Sequence, residues 1–310
     1  VRKDRKIKEP IIAIMKDTKE EESLTKALDL LPMNKIIHTS DIVCITPNWV
    51  KAKPPYTATV VGPYTLQRLI QYIKKRNPKK IYIATGSGGD PTPKVMSTIG
   101  YDKIIKKEEV EFIDLNYGPY TEVFLDHDQP ISTKINQLIE KIDVLISFTQ
   151  LKYHEEATIS AGMKNIALGW PPAEIHGFPK KKLGIHEDLH GFIEAMIKKI
   201  PIDLTIVSAD KTMIGTGPSS GKAIDTPGLI IAGTDPVAVD TIGARLLGFL
   251  PQAISYLYKL HKEEIGTALP ERMDLRGISL EEAERIFSKA AFGQEIILDK
   301  GHIKNIHGNR

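Results

Sequence analysis

Lys152, His154 and Lys164 fall within one stretch, Thr149 to Trp170, that is otherwise mostly small, apolar or glycine-containing. Lys164 sits between Gly162-Met163 and Asn165-Ile166-Ala167-Leu168. Burying an ammonium there is costly unless it is paired or used. The stretch follows Asp143-Val-Leu-Ile-Ser-Phe148, which reads as a buried strand, so it is expected to be a loop beyond a strand end. The chemistry such residues suit is proton transfer and a grip on negative charge. His154 would be the general acid/base, Lys164 and Lys152 would hold an anion, and Asn165 would orient it.

Other segments could contribute. The strand-like run Ile81–Thr85 opens into Gly86-Ser-Gly-Gly-Asp-Pro-Thr-Pro93 before a helix. Backbone N–H groups of Gly86, Ser87, Gly88 and Gly89 could cradle an anion, or the loop could be only a tight strand–helix turn. Pro91 stands where a dinucleotide fingerprint needs its third glycine. Gly215-Thr-Gly-Pro-Ser-Ser-Gly-Lys222 fails as a phosphate loop in spacing and in lacking a following helix, and reads as a flexible loop able to close over a ligand. His186-Glu-Asp-Leu-His190 matches the H-E-x-x-H pattern, which on a helix could hold a divalent metal. Asp188 and the early helical position argue against a peptidase, and the alternative is an exposed helix start. Asp240 interrupts an apolar helix; either it is buried with a partner, for which Lys152 or Lys164 would serve, or it faces solvent.

The chain has 310 residues, 41% hydrophobic and 26% charged, enough for a single α/β domain over residues 1–310, with 268–310 as a candidate appendage. A formal net charge of +3 does not argue for nucleic acid, and the basic run Val1–Lys8 reads as a solvated tail. No apolar run approaches the roughly 20 residues that span a bilayer, and no apolar signal core follows the charged N-terminus, so a cytoplasmic protein without membrane contact is expected. Its one cysteine, Cys44, reads as a core residue and cannot by itself hold an iron–sulfur cluster.

Strand-like runs alternate with helical patterns, which predicts a mainly parallel sheet with helices on both faces. Strands are expected at Ile11–Met15, Ile42–Thr46, Ile81–Thr85, Val110–Leu115, Glu122–Leu125, Val144–Phe148, Leu204–Ser208, Leu229–Ala232 and Glu295–Leu298. Helices are expected at Glu20–Leu31, Gly62–Asn77, Ile131–Ile142, Glu187–Ile200, Asp235–Phe249, Gln252–Ile265 and Ser279–Ala290, with a short one before Gly100.

Four blocks together resemble a known family, domain-of-unknown-function family 362: Thr46-Pro-Asn48, Lys152-x-His154 through Met163-Lys-Asn-Ile166, Met213-Ile-Gly-Thr-Gly-Pro218, and Ala232-Gly-Thr-Asp-Pro-Val-Ala-Val-Asp240. Many members carry an attached ferredoxin-like segment with eight cysteines; with one cysteine among these 310 residues, the redox role that such members imply does not carry over. More distantly, His154 ten residues before Lys164, within Ala161–Gly169, resembles a segment of the nickel-pincer lactate racemases. That resemblance implies an acid/base role for His154, a cofactor-holding role for Lys164, and metal binding by a later histidine, of which His186 is nearest. Gly86-Ser-Gly-Gly89 stands where the racemases have Gly-Thr-His, so a second acid/base is missing and a shared scaffold with different chemistry is implied.

The expected site therefore lies at the carboxyl ends of the strands. Its catalytic candidates are His154, Lys164 and Lys152. Its ligand-binding candidates are Asn48, the 86–89 loop, Asn165 and Asp240, and its metal candidates are His186 and His190. The expected ligand is a small carboxylate- or phosphate-bearing anion. The cofactor is open, a divalent metal being one option, and so is a homodimer. The alternatives to an enzyme are a ligand-, cofactor- or metal-binding accessory to redox partners, or a scaffold only.

Overall fold

A computed structural model describes residues 4–298. The strands are β1 (Ile11–Lys16), β2 (Ile42–Pro47), β3 (Lys80–Thr85), β4 (Glu111–Asp114), β5 (Tyr120–Phe124), β6 (Ser132–Asn136), β7 (Val144–His154), β8 (Thr158–Ser160), β9 (Leu204–Ile214), β10 (Lys222–Asp225), β11 (Leu229–Gly233) and β12 (Asp274–Gly277). Ten of them form one sheet in the order β12-β1-β11-β9-β7-β2-β3-β4, with β10 added on β9 and β8 on β7. β4, β3, β2, β7 and β9 are mutually parallel. β11 alone reverses direction between β9 and β1. The run of parallel strands brings the loops after β2, β3, β7 and β9 to one edge of the sheet, where open α/β sheets hold ligands.

Alternation along the strands feeds two cores. Cys44, Leu145, Val207 and Ile231 face one, against the helices Gly162–Gly169, Leu189–Lys199, Pro236–Leu246, Ser255–Lys262 and Leu280–Phe292. Val43, Ile146, Ile206 and Ile230 face the other, against Glu20–Asp29, Pro63–Lys74 and Tyr101–Lys107. This is the α/β architecture with helices on both faces that the alternating pattern predicts. Pro236–Leu246 is buried at every residue, so its two charged residues, Asp240 and Arg245, need partners inside the protein. Asp235 starts it by accepting from Val237 N (2.9 Å) and Ala238 N (3.2 Å).

Several expectations are corrected. Ile131–Ile142 is not a helix. Its apolar residues recur at helical spacing, but Ser132–Asn136 pairs with Tyr120–Phe124 as β6, and Asn136 caps a short 3-10 turn by accepting from Leu138 N (2.9 Å). Glu295–Leu298 is not a strand, because its backbone bonds to helix side chains instead: Ile296 N to Ser288 Oγ (2.8 Å) and Leu298 N to Glu284 Oε2 (3.2 Å). One sheet edge is β12, beside β1, which falls within residues 268–310; residues 299–310 lie outside the described residues. The basic N-terminal run is anchored rather than solvated over Arg5–Ile7. Arg5 donates to Ile265 O (2.7 Å) and pairs with Asp235 (3.2 Å), Lys6 pairs with Asp41 (2.5 Å), and Ile7 is buried.

Candidate functional site

A cavity of about 310 Å³ opens where the parallel strands end. The loops after β2 and β3, the end of β7, the Gly162–Gly169 helix, residues 179–186 and the 217–219 loop form its walls. A larger groove of about 510 Å³ lies at the opposite end of the sheet, around Arg5 and Asp235. Those two charges pair with each other, so the chemistry concentrates in the smaller cavity.

β7 is longer than its apolar start suggests. It runs eleven residues, through Lys152 and His154, because the 149–154 segment is sandwiched between β9 and the short antiparallel β8. Lys152 and His154 are therefore strand residues, not loop residues. A register shift against β9 between Gln150 and Lys152 re-aims the strand end.

His154 lines the cavity and is only 4% exposed. Its Nδ1 accepts from Glu156 N (3.1 Å) and Ala157 N (3.2 Å). Both are donors, so the hydrogen bonds assign the ring proton to Nε2. Burial, then the neighbouring Lys164 and Lys152, push its pKa down to about 2. His154 is thus a neutral imidazole that presents an N–H donor. To act as a base through Nε2 it would have to give up both backbone bonds.

Lys164 lies on the Gly162–Gly169 helix, half-buried in the cavity wall. Among the described residues its ammonium has no hydrogen bond or ion pair. Burial lowers its pKa to about 8, with Glu156 opposing. Lys152 does not line the cavity. It is fully buried, its Nζ donates to Gln150 O (3.2 Å) and to nothing else among the described residues, and burial followed by Lys164 holds its pKa well below the ordinary lysine value.

Asp240 does not pair with either lysine, contrary to expectation. Its Oδ1 accepts from Gly162 N (2.7 Å) and its Oδ2 from Met163 N (2.9 Å), so it satisfies the orphan N–H groups at the start of the helix that carries Lys164. Gly162 is required there, because a Cβ would stand 2.1 Å from Thr205 Cγ2 and 3.0 Å from Asp240 Oδ1. Asn165 donates to Thr46 O (2.8 Å) and Ser147 Oγ (3.1 Å), which ties the same helix to β2 and β7. Asn48 reaches the cavity, but its amide is committed to bridging, donating to Thr59 O (3.3 Å) and accepting from Gln150 N (3.1 Å).

In the 86–89 loop two of the four backbone N–H groups are committed within the protein. Ser87 N donates to Thr92 Oγ1 (3.2 Å) and Gly89 N to Val50 O (2.9 Å), and Ser87 stands outside the cavity lining. The loop also offers a carbonyl to Lys180, a residue that pattern reasoning missed. Lys180 is 4% exposed and donates to Gly86 O (2.8 Å), Leu168 O (2.9 Å) and Gly169 O (3.4 Å). It clamps the glycine loop to the carboxyl end of the Lys164 helix, where a cation is favoured. Burial lowers its pKa to about 7, against the pull of Asp114. In sequence it stands in Lys180-Lys-Lys182, which looks like a solvated charge run, and no local signal marks it.

The 215–221 loop closes one side. It joins β9 to β10 as a hairpin, and Lys222 begins β10 rather than facing a ligand. Gly217 passes so close to β7 that a Cβ would lie 1.8 Å from Tyr153 O. Lys53 donates to Ser219 O (2.6 Å), which holds the loop against the 50–53 segment.

His186 and His190 diverge. The helix begins only at Leu189, with Asp188 as its cap accepting from Gly191 N (2.9 Å). His186 therefore precedes the helix and faces the cavity, its Nδ1 against Glu156 Oε2. His190 is outside the lining, its ring tilted 34° to that of Tyr256 at 5.4 Å, and its buried Nδ1 has no partner among the described residues. His176 is also structural, with Nε2 on Thr133 Oγ1 (2.9 Å). Among the described residues no group of three or more His, Cys, Asp or Glu side chains gathers to hold a metal ion.

These features define an α/β protein whose loops at the ends of parallel strands enclose a lysine-lined cavity. The family described as domain of unknown function (DUF362) matches residues 43–245, more than half of the chain, and the chain belongs to that family. All four sequence blocks fall inside the matched region. A thylakoid-associated protein of Synechocystis sp. is 23% identical over 225 residues, covering 72% of this chain and 68% of that protein. The lactate racemase apoprotein from Thermoanaerobacterium thermosaccharolyticum aligns with a TM-score of 0.45 and 19% identity, over 77% of this chain and 57% of that chain. No described helix is long and apolar enough to cross a membrane.

Proposed function

We propose that the cavity binds a small carboxylate- or phosphate-bearing anion and presents it for reaction, with the Lys164 ammonium and the Nε2–H of His154 as its counter-groups. The observation that carries this reading is the unpaired ammonium of Lys164 in a cavity wall. A half-buried ammonium with no partner among the described residues is only partly hydrated, and a bound anion offsets the cost of that burial. His154 adds a neutral, fixed donor, and Lys180 and Asp240 hold the helix and loop that carry the site without competing for the anion. Lysine suits the role because its ammonium can turn its donors toward differently shaped anions.

Calorimetric titration with inorganic phosphate and with acetate tests this. Lys164→Gln should weaken binding of the anions about 10- to 100-fold. The affinity should also fall as pH rises through about 8 in the wild-type protein, because the ammonium that holds the anion is then lost. An affinity that ignores Lys164→Gln and stays flat from neutral pH upward would refute the reading.

A further inference from the structure

The cavity contains two imidazoles that hold their protons on opposite nitrogens. His154 keeps its proton on Nε2, as its two backbone donors to Nδ1 require. His186 does the reverse. Its Nδ1 faces Glu156 Oε2 at hydrogen-bond distance, and an ionised carboxylate can only accept. The proton of His186 therefore sits on Nδ1, and its Nε2 carries a lone pair. Glu156 is steadied from its other oxygen by Lys181 (2.9 Å). Glu156, His186, His154 and Lys164 all line the same cavity.

We propose that Glu156–His186 is the proton-accepting dyad of this cavity, and that the cavity's ligand is an anion that also carries a dissociable proton, such as a hydrogen phosphate group. This deepens the anion-site reading and rests on it. In the step itself, the ligand's O–H bond breaks and its proton forms a bond to Nε2 of His186. The electron pair stays on the ligand oxygen. Glu156 stabilises the resulting imidazolium, while Lys164 and the Nε2–H of His154 face the charge gained by the ligand. The reverse step returns the proton, so no other reactant is needed. Burial lowers the pKa of His186 against the pull of Glu156, which leaves the ring free to accept. Glu156 is the positioning residue, acting through the ring it orients.

Inorganic phosphate and sulfate separate the two levels of the proposal. At about pH 7.5 phosphate retains a P–O–H proton and sulfate has none, so the full chain should bind phosphate about tenfold more tightly. His186→Asn should lower phosphate affinity to the sulfate level and leave sulfate unchanged. Lys164→Gln should weaken both. Equal affinity for the two anions in the wild type, or a preference that survives His186→Asn, overturns the dyad while leaving the anion site standing. Binding of neither anion, or no effect of Lys164→Gln, overturns the anion site and the dyad with it. Nitrogen-15 spectra of the wild-type histidines give a check independent of variant folding. His154 should report the Nε2–H tautomer and His186 the Nδ1–H tautomer, with Glu156→Gln moving only His186 toward a mixture. The same tautomer in both rings overturns the dyad.

Discussion

Glu284→Ala should destabilise the protein by about 3–5 kcal/mol, read as a lower urea midpoint with an unchanged slope. Arg245 Nε donates to Glu284 Oε1 at 2.6 Å, and both side chains are 2% exposed. Glu284 Oε2 also accepts from Leu298 N (3.2 Å), while Arg245 Nη2 donates to Leu298 O (2.5 Å). The pair locks the Leu280–Phe292 helix and the segment after it against Pro236–Leu246. Removing one partner leaves a buried guanidinium without its counter-charge, and Arg245 Nη1 has no hydrogen-bond partner among the described residues. The size of the effect comes from that orphaned charge. The double variant Arg245→Met with Glu284→Leu should therefore recover most of the loss. A single variant that costs less than about 1 kcal/mol would show that the pair is solvated in solution.

Asp240→Asn should cost about 2–4 kcal/mol and weaken anion binding at the same time. The substitution preserves shape, so no cavity term enters. It replaces one accepting oxygen with an amide donor, which must then face the N–H of Gly162 or Met163 inside the core. The helix that carries Lys164 loses one of the two bonds by which Asp240 holds its start, so site and stability should weaken together. The pH dependence has a definite sign. Burial raises the Asp240 carboxyl from 3.8 to about 7, with the two backbone donors opposing. Across that window the folded protein holds one more proton than the unfolded chain at this site. The contribution of Asp240 to stability therefore declines as pH rises from about 4 to about 7, and Asp240→Asn should flatten that slope. Urea titrations at several pH values in this range measure it, and identical slopes for wild type and variant would remove Asp240 from the account.

Several strands of the sheet are legible in the sequence, although β8, β10 and β12 are not. Ile42–Thr46, Ile81–Thr85 and Leu229–Ala232 read as strands because strand formation needs only local alternation and β-branched content, and all three are strands. Ile131–Ile142 misled for the same reason. Its spacing fits a helix, yet pairing with Tyr120–Phe124 outweighs that preference, and such pairing is not local. Lys180 shows the limit most sharply, since the carbonyl of Gly86 that it binds lies 94 residues away.

Sequence alone determined the α/β class, the family blocks, and the concentration of lysine and histidine in apolar surroundings around Lys152–Lys164. Tertiary structure decided which of those residues share a cavity, that Asp240 serves a helix start rather than a lysine, and that two backbone N–H groups point at Nδ1 of His154. Periodicity is set by neighbours along the chain, whereas the partners of a buried polar atom are set by whichever distant segments the fold closes around it.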